Sequence, residues 1–465
     1  MDKQSLGFKE KFSYGIGAVG KDMVYMLTSS YVLYYYQDLL GVDPIAMGII
    51  LLIARVFDAL NDPFMGVIVA KTKTRWGKFR PWLFSGTVLN ALILYLLFAC
   101  PGSLHGTGLT AYAGIVYIIW GVTYTMMDIP YWSMIPAFTE SGPERESLSA
   151  LARTCAGVGS ALISVVTMMS VHALGKGNEV AGFRWFTLII AVLFVVFITM
   201  TCINIKETST VDMETATVRQ MLSSLFKNDQ ALVMVVTIVL VNMSIYITSN
   251  LVIYFFKYDF GGASWYGSYT LFYTFGGAMQ VLSMMLMFPL MRRFMDTMKI
   301  FRTALMMAVV GYIVLLALTF TSMSSVFILF VPAFLIFAAN GLLLVLTTIF
   351  LANTVDYGEY KNGTRDESVI FSLQTFVVKL ASGIAALVAS LCLAIFHFGD
   401  SSETAAVVTM AKSSIIGLRM TMTIIPMIGL LIAIAYFNKR YLLNTEKMDE
   451  ITSTLNEKHA GESND

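Results

Sequence analysis

Charge is the first thing this chain is short of. Lys, Arg, Asp and Glu make up 13% of its 465 residues, whereas soluble domains carry about 25%. The formal net charge is only +1, which removes the electrostatic case for nucleic acid as a partner. Cysteine is scarce too. Cys100, Cys155, Cys202 and Cys392 all fall in apolar segments, with neither a metal-ligand spacing nor a secreted disulfide framework, so they read as free thiols packed as small hydrophobes. No glycine-rich nucleotide loop follows a strand, which argues against an ATP-driven pump. No nucleophile–base pair stands out, so neither an enzyme nor a cofactor is expected. The N-terminus, Met1 to Ser13, is polar and basic through Lys3, Lys9 and Lys11. No short apolar core with a small-residue cleavage site follows it, and the first apolar segment is expected to remain as a spanning helix.

What the chain has in excess is hydrocarbon. Hydrophobic residues reach 57%, with 32 Phe, 30 Met and 22 Tyr, a usage suited to lipid contact and to helix interfaces that repack. A spanning helix needs about 20 mostly apolar residues, and twelve segments qualify. Six precede the middle: Ser13–Tyr36, Ile45–Ala70, Trp82–Cys100, Thr110–Ile135, Leu148–Val171 and Trp185–Ile205. Six follow: Ala231–Phe256, Tyr266–Met287, Thr303–Phe320, Val326–Ala352, Ser368–Phe398 and Ile415–Phe437. The expected class is an all-α membrane protein of two six-helix bundles, residues 1–205 and 231–440. Residues 206–230 read as a cytoplasmic linker with a short amphipathic helix around Val218–Phe226, and 441–465 as a polar, mobile cytoplasmic tail.

Loop charges set the orientation. The loop after the second span carries Lys71, Lys73, Arg75, Lys78 and Arg80, and the one after the eighth carries Arg292, Arg293, Lys299 and Arg302. The alternate loops GSLHGTG and TSMSS carry no Lys or Arg. By the positive-inside rule the basic loops, and with them both termini, are cytoplasmic. Two six-helix halves also match the parallel-repeat organisation of major facilitator transporters, whose site lies near the midplane between halves.

Eight charges nevertheless sit inside the apolar segments: Lys21, Asp22, Arg55, Asp58, Asp62, Asp128, Arg153 and Lys379. Each would cost roughly 2.5–3.5 kcal/mol at the centre of a spanning helix, on the order of 20 kcal/mol together, if they faced lipid. They are expected to face a shared polar interior, as in a protein that moves a polar solute. On the second span, Asp58 and Asp62 lie four apart on one face, with Asn61 between them and Arg55 three before Asp58. Two carboxylates with an amide oxygen form a hard-oxygen cluster suited to Na⁺, Li⁺ or H₃O⁺, and Arg55 reads as a structural counter-charge. On the fourth span, Tyr124, Asp128 and Trp132 share a face bordered by Thr125. A carboxylate flanked by aromatic rings is the kit for a sugar, whose hydroxyls meet the charge while a ring packs on its C–H face. Pro130 is placed to kink this helix.

On the first span, the adjacent Lys21 and Asp22 point about 100° apart. Asp22 reads as a second sugar acceptor and Lys21 as a donor or counter-ion. Arg153, on the fifth span, offers a five-donor fork for Asp22, Asp128 or sugar hydroxyls. Lys379, four after Thr375 on the eleventh span, reads as the only charge the C-terminal half sends into the membrane. The loop between spans ten and eleven mixes Asp356, Glu359, Lys361, Arg365, Asp366 and Glu367, and could latch against the basic loop RWGKFRPW or simply be solvated.

The strings YGIGAVGKDM, LIARVFDALNDPFMG, TRWGKFRPW, YTMMDIPYWS and NTVDYGEYKNGTRDES together resemble the glycoside–pentoside–hexuronide:cation symporter family. The likeness runs from about Phe12 to Leu442 and includes KNDQ at Lys227–Gln230. It implies a major facilitator fold in a bacterial inner membrane and uptake of an α-galactoside such as melibiose, driven by Na⁺, Li⁺ or H⁺. It implies that Asp58 and Asp62 hold the cation with Asn61 and Thr125 nearby. Asp22, Asp128, Trp132 and Arg153 would hold the sugar with Lys21 and Tyr124 close by, and Thr375, Val378 and Lys379 would line the C-terminal side. Leu344 stands where the galactoside pattern leads one to expect Trp, and Ser29 where it leads one to expect Tyr. Both changes remove aromatic surface and leave other glycosides or hexuronides as alternatives. The fused regulatory domain of some relatives is not expected. Expected partners are a small glycoside, a monovalent cation and membrane lipid; a cytoplasmic regulatory protein stays open. A sugar sensor that moves nothing, or a lipid or lysolipid carrier on the same fold, fits less well: sensing needs no coupling ion, and an acyl chain needs no carboxylates.

Overall fold

The computed structural model describes residues 6–138, 143–207, 223, 225–261, 264–321, 323, 325–363, 367–398 and 410–462. Among these, the chain is helical throughout apart from short turns and an isolated bridge at Thr74 and Gly77. The helices are α1 Phe8–Leu33, α2 Pro44–Lys71, α3 Arg80–Phe98, α4 Gly106–Ser133, α5 Ile135–Phe138, α6 Pro143–Gly175 and α7 Glu179–Asn204. They continue with α8 Asp229–Tyr254, α9 Trp265–Leu282, α10 Phe288–Arg292, α11 Thr297–Thr319, α12 Phe330–Asn362, α13 Glu367–Ile395, α14 Lys412–Arg440 and α15 Thr445–Glu462. Short side chains set several helix starts. Asp43, Asn178, Asn228 and Asp296 each accept from the backbone N–H three residues on, satisfying a donor that the first turn leaves orphaned. Pro44 adds its fixed φ at the start of α2.

Among the described residues, eleven helical stretches are long and apolar enough to cross a membrane. α1 has the length but falls short in apolarity, because Lys21 and Asp22 lie within it. It is embedded all the same, packing most extensively on α6 and α7. The chain forms two compact units. One comprises Met1–Thr215 with Ser264–Thr270 and Leu393–Val408, the other Ala216–Ala263, Leu271–Cys392 and Thr409–Asp465. In the first, α4 packs on both α2 and α3, and α7 closes on α1 and α3. In the second, α8 packs on α14 and α11 on α12, around a core that includes Phe301, Phe350 and Phe437.

Three sequence expectations need correcting. Over Thr445–Glu462 the tail is packed rather than mobile: α15 buries Ile451 and Leu455 in the second unit's core, and Lys447 lies 5.7 Å from the Tyr360 ring. The loop between spans ten and eleven is shorter than its polarity suggests, since α12 runs through Asp356, Glu359 and Lys361 to Asn362. Lys361 meets Asp229 at 2.5 Å and Tyr357 donates to the same carboxylate, so these polar residues stay helical because α8 answers them. Arg365 and Asp366 lie outside the described residues. Finally, Lys379 is not the only charge within the second half's spans. Arg419 of α14 grips Asp259 with two hydrogen bonds of 2.7 and 2.6 Å, the bidentate geometry that arginine favours. Of the amphipathic segment at 218–226, only Ser223, Leu225 and Phe226 are described, and they are helical.

The basic loop after α2 is committed within its own unit. Glu207, just past α7, accepts from the backbone N–H groups of Lys78, Phe79 and Arg80 at 2.6, 3.0 and 2.9 Å. A carboxylate at these amides complements the positive end of α3. Gly77 permits the approach: its φ is +111°, and a Cβ there would lie 2.4 Å from Glu207.

Candidate functional site

The first unit gathers the N-terminal charges into two clusters strung along α4. One face of α4 carries Tyr117, Gly121, Tyr124, Asp128 and Trp132, spaced four, three, four and four. Tyr124, Asp128 and Trp132 were legible from that spacing. Tyr117 and Gly121 continue it toward the other end and were missed.

The first cluster centres on Lys21. Its Nζ lies 2.7 Å from Asp128 and 3.3 Å from Asp22, so one ammonium serves both carboxylates although Lys21 and Asp22 diverge on α1. Tyr124 Oη is 3.4 Å from the same nitrogen. The Lys21 side chain is only 4% exposed against 17% for Asp22 and 29% for Asp128. The two acids are thus more open than Lys21, whose ammonium is buried against both. Trp132 is half-buried beside two cations: Lys21 Nζ stands 4.9 Å and the Arg153 guanidinium 4.2 Å from its ring centre. Arg153 is exposed and pairs with neither Asp22 nor Asp128. The acids take Lys21 instead, and the guanidinium lies within cation–π distance of the indole.

A clasp unseen in the sequence holds this end of α4. Tyr14 Oη donates to the Tyr131 carbonyl and Tyr131 Oη to the Tyr14 carbonyl, both at 2.5 Å, with the rings stacked at 4.5 Å. Past Pro130 the helix is about to end, leaving carbonyls without intrahelical partners, and Tyr14 fills one of them. The partners stand 117 residues apart, so no local pattern marks them.

The second cluster lies on α2. Arg55 Nη1 is 3.6 Å from Asp58, in keeping with its reading as counter-charge. Asp62 accepts from Thr125 Oγ1 of α4 at 3.0 Å, so the four-residue step from Asp58 brings both carboxylates toward α4. Asn61 is half-buried between them. Among the described residues no group of three or more His, Cys, Asp or Glu could hold a metal ion. The oxygens here are instead two carboxylates with a hydroxyl and an amide, a set that fits a small hard cation better than a transition metal.

The clusters are joined. The Arg55 guanidinium lies 5.4 Å from the Tyr25 ring, which is 5.5 Å from the Tyr124 ring. A continuous path thus runs from Asp58 through Arg55, Tyr25 and Tyr124 to Lys21 and its two acids. Tyr25 was missed because its role depends on packing between α1, α2 and α4. In the second unit, Thr375 is exposed on α13, and Val378 and Lys379 are half-buried.

Known proteins resemble this chain along most of its length. A model of the MFS/sugar transport protein family matches residues 13–444. An inner membrane symporter of Escherichia coli K12, YicJ, is 26% identical over 456 residues, covering 98% of this chain and 96% of its own. A lactose permease of Lactobacillus delbrueckii subsp. bulgaricus is 27% identical, covering 96% and 72%. An isoprimeverose transporter of Lactiplantibacillus pentosus is 27% identical, covering 84% and 81%. Among solved structures, the nucleoside transporter NupG superposes with a TM-score of 0.64 at 12% identity, covering 92% of this chain and 98% of its own. A proton-dependent oligopeptide transporter does so with 0.68 at 12%, covering 95% and 99%. At such identities these two show the shared fold alone. The chain belongs to the MFS/sugar transport protein family and is a multi-pass membrane transporter rather than an enzyme.

Proposed function

We propose that the chain is a secondary active transporter that couples inward movement of a glycoside to Na⁺, Li⁺ or H⁺ by alternating access of its two bundles, with both termini cytoplasmic. The observation that carries this reading is the path just described. It links a hard-oxygen cluster on α2 to an acid–aromatic cluster on α1, α4 and α6 through ring and charge contacts within one unit. In this reading Asp58, Asn61, Asp62 and Thr125 take the cation. Asp22, Asp128, Trp132 and Arg153 take the sugar, Lys21 and Tyr124 hold the acids in place, and Thr375, Val378 and Lys379 supply the C-terminal lining. The substrate is an α-galactoside such as melibiose; lactose and isoprimeverose, named for relatives, are the other sugars to test. Uptake of a panel of labelled glycosides into vesicles under imposed Na⁺, Li⁺ and H⁺ gradients tests the proposal. We expect one glycoside to accumulate only with a cation gradient; accumulation of none, under any gradient, would overturn it.

Sugar preference offers a finer test. Leu344 is 51% exposed on α12, so a larger ring fits there without overpacking. An aromatic surface is worth about 1 kcal/mol, less than tenfold in affinity. Leu344→Trp should raise affinity for α-galactosides by several-fold in competition assays, and no change for any galactoside would place Leu344 away from the sugar.

Gly121 tests the cation cluster by sterics alone. A Cβ there would lie 2.1 Å from Asp58 Oδ1 and 2.9 Å from its Cγ, so Gly121→Ala must displace the carboxylate. Overpacking of this kind costs about 1–3 kcal/mol. We expect the stimulation of sugar binding by Na⁺ or Li⁺ to weaken at least several-fold, with sugar affinity in the absence of cation nearly unchanged, as read by calorimetry.

A further inference from the structure

The hairpin between α10 and α11 presents two features outside the proposed transport site. The first is a run of exposed apolar side chains. Met285, Leu286 and Leu290 are 68%, 64% and 56% exposed, and Phe294 beyond them is 80% exposed. On α11, which packs against α10, Met306 and Val310 are likewise exposed. In a chain that crosses the bilayer, acyl chains are what covers such surface. The second feature is where the apolar run ends. Arg292, Arg293, Lys299 and Arg302 all fall within eleven residues and are exposed. The acid among them, Asp296, is already engaged, capping α11 through the Lys299 N–H at 2.8 Å and pairing with the Lys299 ammonium at 3.5 Å. Arg292 makes one weak contact, to the Met295 carbonyl at 3.4 Å. Among the described residues neither Arg292, Arg293 nor Arg302 forms an ion pair.

The equivalent basic loop after α2 differs. There Arg80 bonds the Trp76, Cys202 and Ile205 carbonyls, and Glu207 holds the loop backbone. Its density of positive charge is similar, but part of it is spent inside the protein.

We propose that this hairpin is a binding site for an anionic phospholipid, with the acyl chains along Leu286, Leu290 and Met306 and the headgroup phosphate in the forks of Arg292 and Arg293, supported by Arg302. Basic clusters at the cytoplasmic ends of spanning helices bind anionic headgroups, and guanidinium forks match phosphate oxygens in a way that lone ammoniums do not. The apolar run distinguishes a lipid from a soluble phosphate, which would have no use for it.

Native mass spectrometry of the purified protein in mixed phosphatidylglycerol and phosphatidylcholine tests this. Each arginine near a membrane surface contributes roughly fivefold. We expect R292Q/R293Q to lose at least fivefold of the retained phosphatidylglycerol with phosphatidylcholine unchanged, and R292K/R293K to recover only part of it. K73Q/R75Q, in the loop after α2, should leave retention as in the wild type, and inorganic phosphate should not displace the lipid. Melting temperatures check folding, and R302Q alone gives a milder variant with an intermediate loss. Equal retention by wild type and R292Q/R293Q, or equal losses in the two loops, would overturn the assignment, as would displacement of the lipid by phosphate.

Discussion

Asn in place of Asp128 or Asp22 is expected to abolish sugar binding in protein that still inserts. The two acids are more open than Lys21, and a hydrogen bond to a charged group contributes about 1.5–3 kcal/mol. Losing the charge on either should lower affinity by more than tenfold. The variants should differ in stability. Asp128→Asn removes the 2.7 Å partner of a buried Lys21 and leaves it only Asp22 at 3.3 Å, so this protein should also melt earlier. Asp22→Asn leaves that pair intact and should lose binding with a smaller change in melting temperature. Calorimetry on both purified variants checks the prediction; near-normal affinity in both would remove the proposed sugar site.

Asp58→Cys is expected to separate coupling from recognition. The sugar candidates of the first unit lie on α1, α4 and α6, whereas Asp58 lies on α2 and is linked to that cluster through Arg55, Tyr25 and Tyr124. A cation at Asp58 would compete with Arg55 for the carboxylate and alter how Arg55 rests on Tyr25, whose ring borders Tyr124. Such links between sites are typically worth about 1–3 kcal/mol, or 5–150-fold in affinity. Without the carboxylate, Na⁺ stimulation and uphill accumulation should vanish while sugar binding stays measurable. Loss of binding together with coupling would mean that Asp58 supports the sugar cluster structurally.

The helices and the polar face of α4 were legible because each is a local pattern: apolar runs of spanning length, and side chains recurring every three or four residues. The same periodicity could have yielded Tyr117 and Gly121. What escaped reading depends on partners far along the chain. The Tyr14–Tyr131 clasp, the Asp259–Arg419 fork and the seat of Glu207 at the start of α3 each join residues that only packing brings together. Lys21 shows both sides of this. Its position inside a span marked it as significant, but whether it would donate to a solute or neutralise two acids turned on its burial. The extra turns of α12 and the packed helix α15 were hidden because polar residues look like loop or tail until a structured neighbour, here Asp229 or the second unit's core, answers them.

Linkage between cation and sugar is the centre of this reading, and one measurement addresses it most directly: the sugar dissociation constant of the purified wild-type protein across concentrations of Na⁺ and Li⁺ and across pH. The link from Asp58 to Asp128 leads us to expect the constant to fall several-fold as at least one of Na⁺, Li⁺ or acidity rises, with a matching sugar-induced gain in affinity for that cation, since linkage is reciprocal. A constant that stays flat across all three would contradict cation coupling and make the protein a passive sugar carrier.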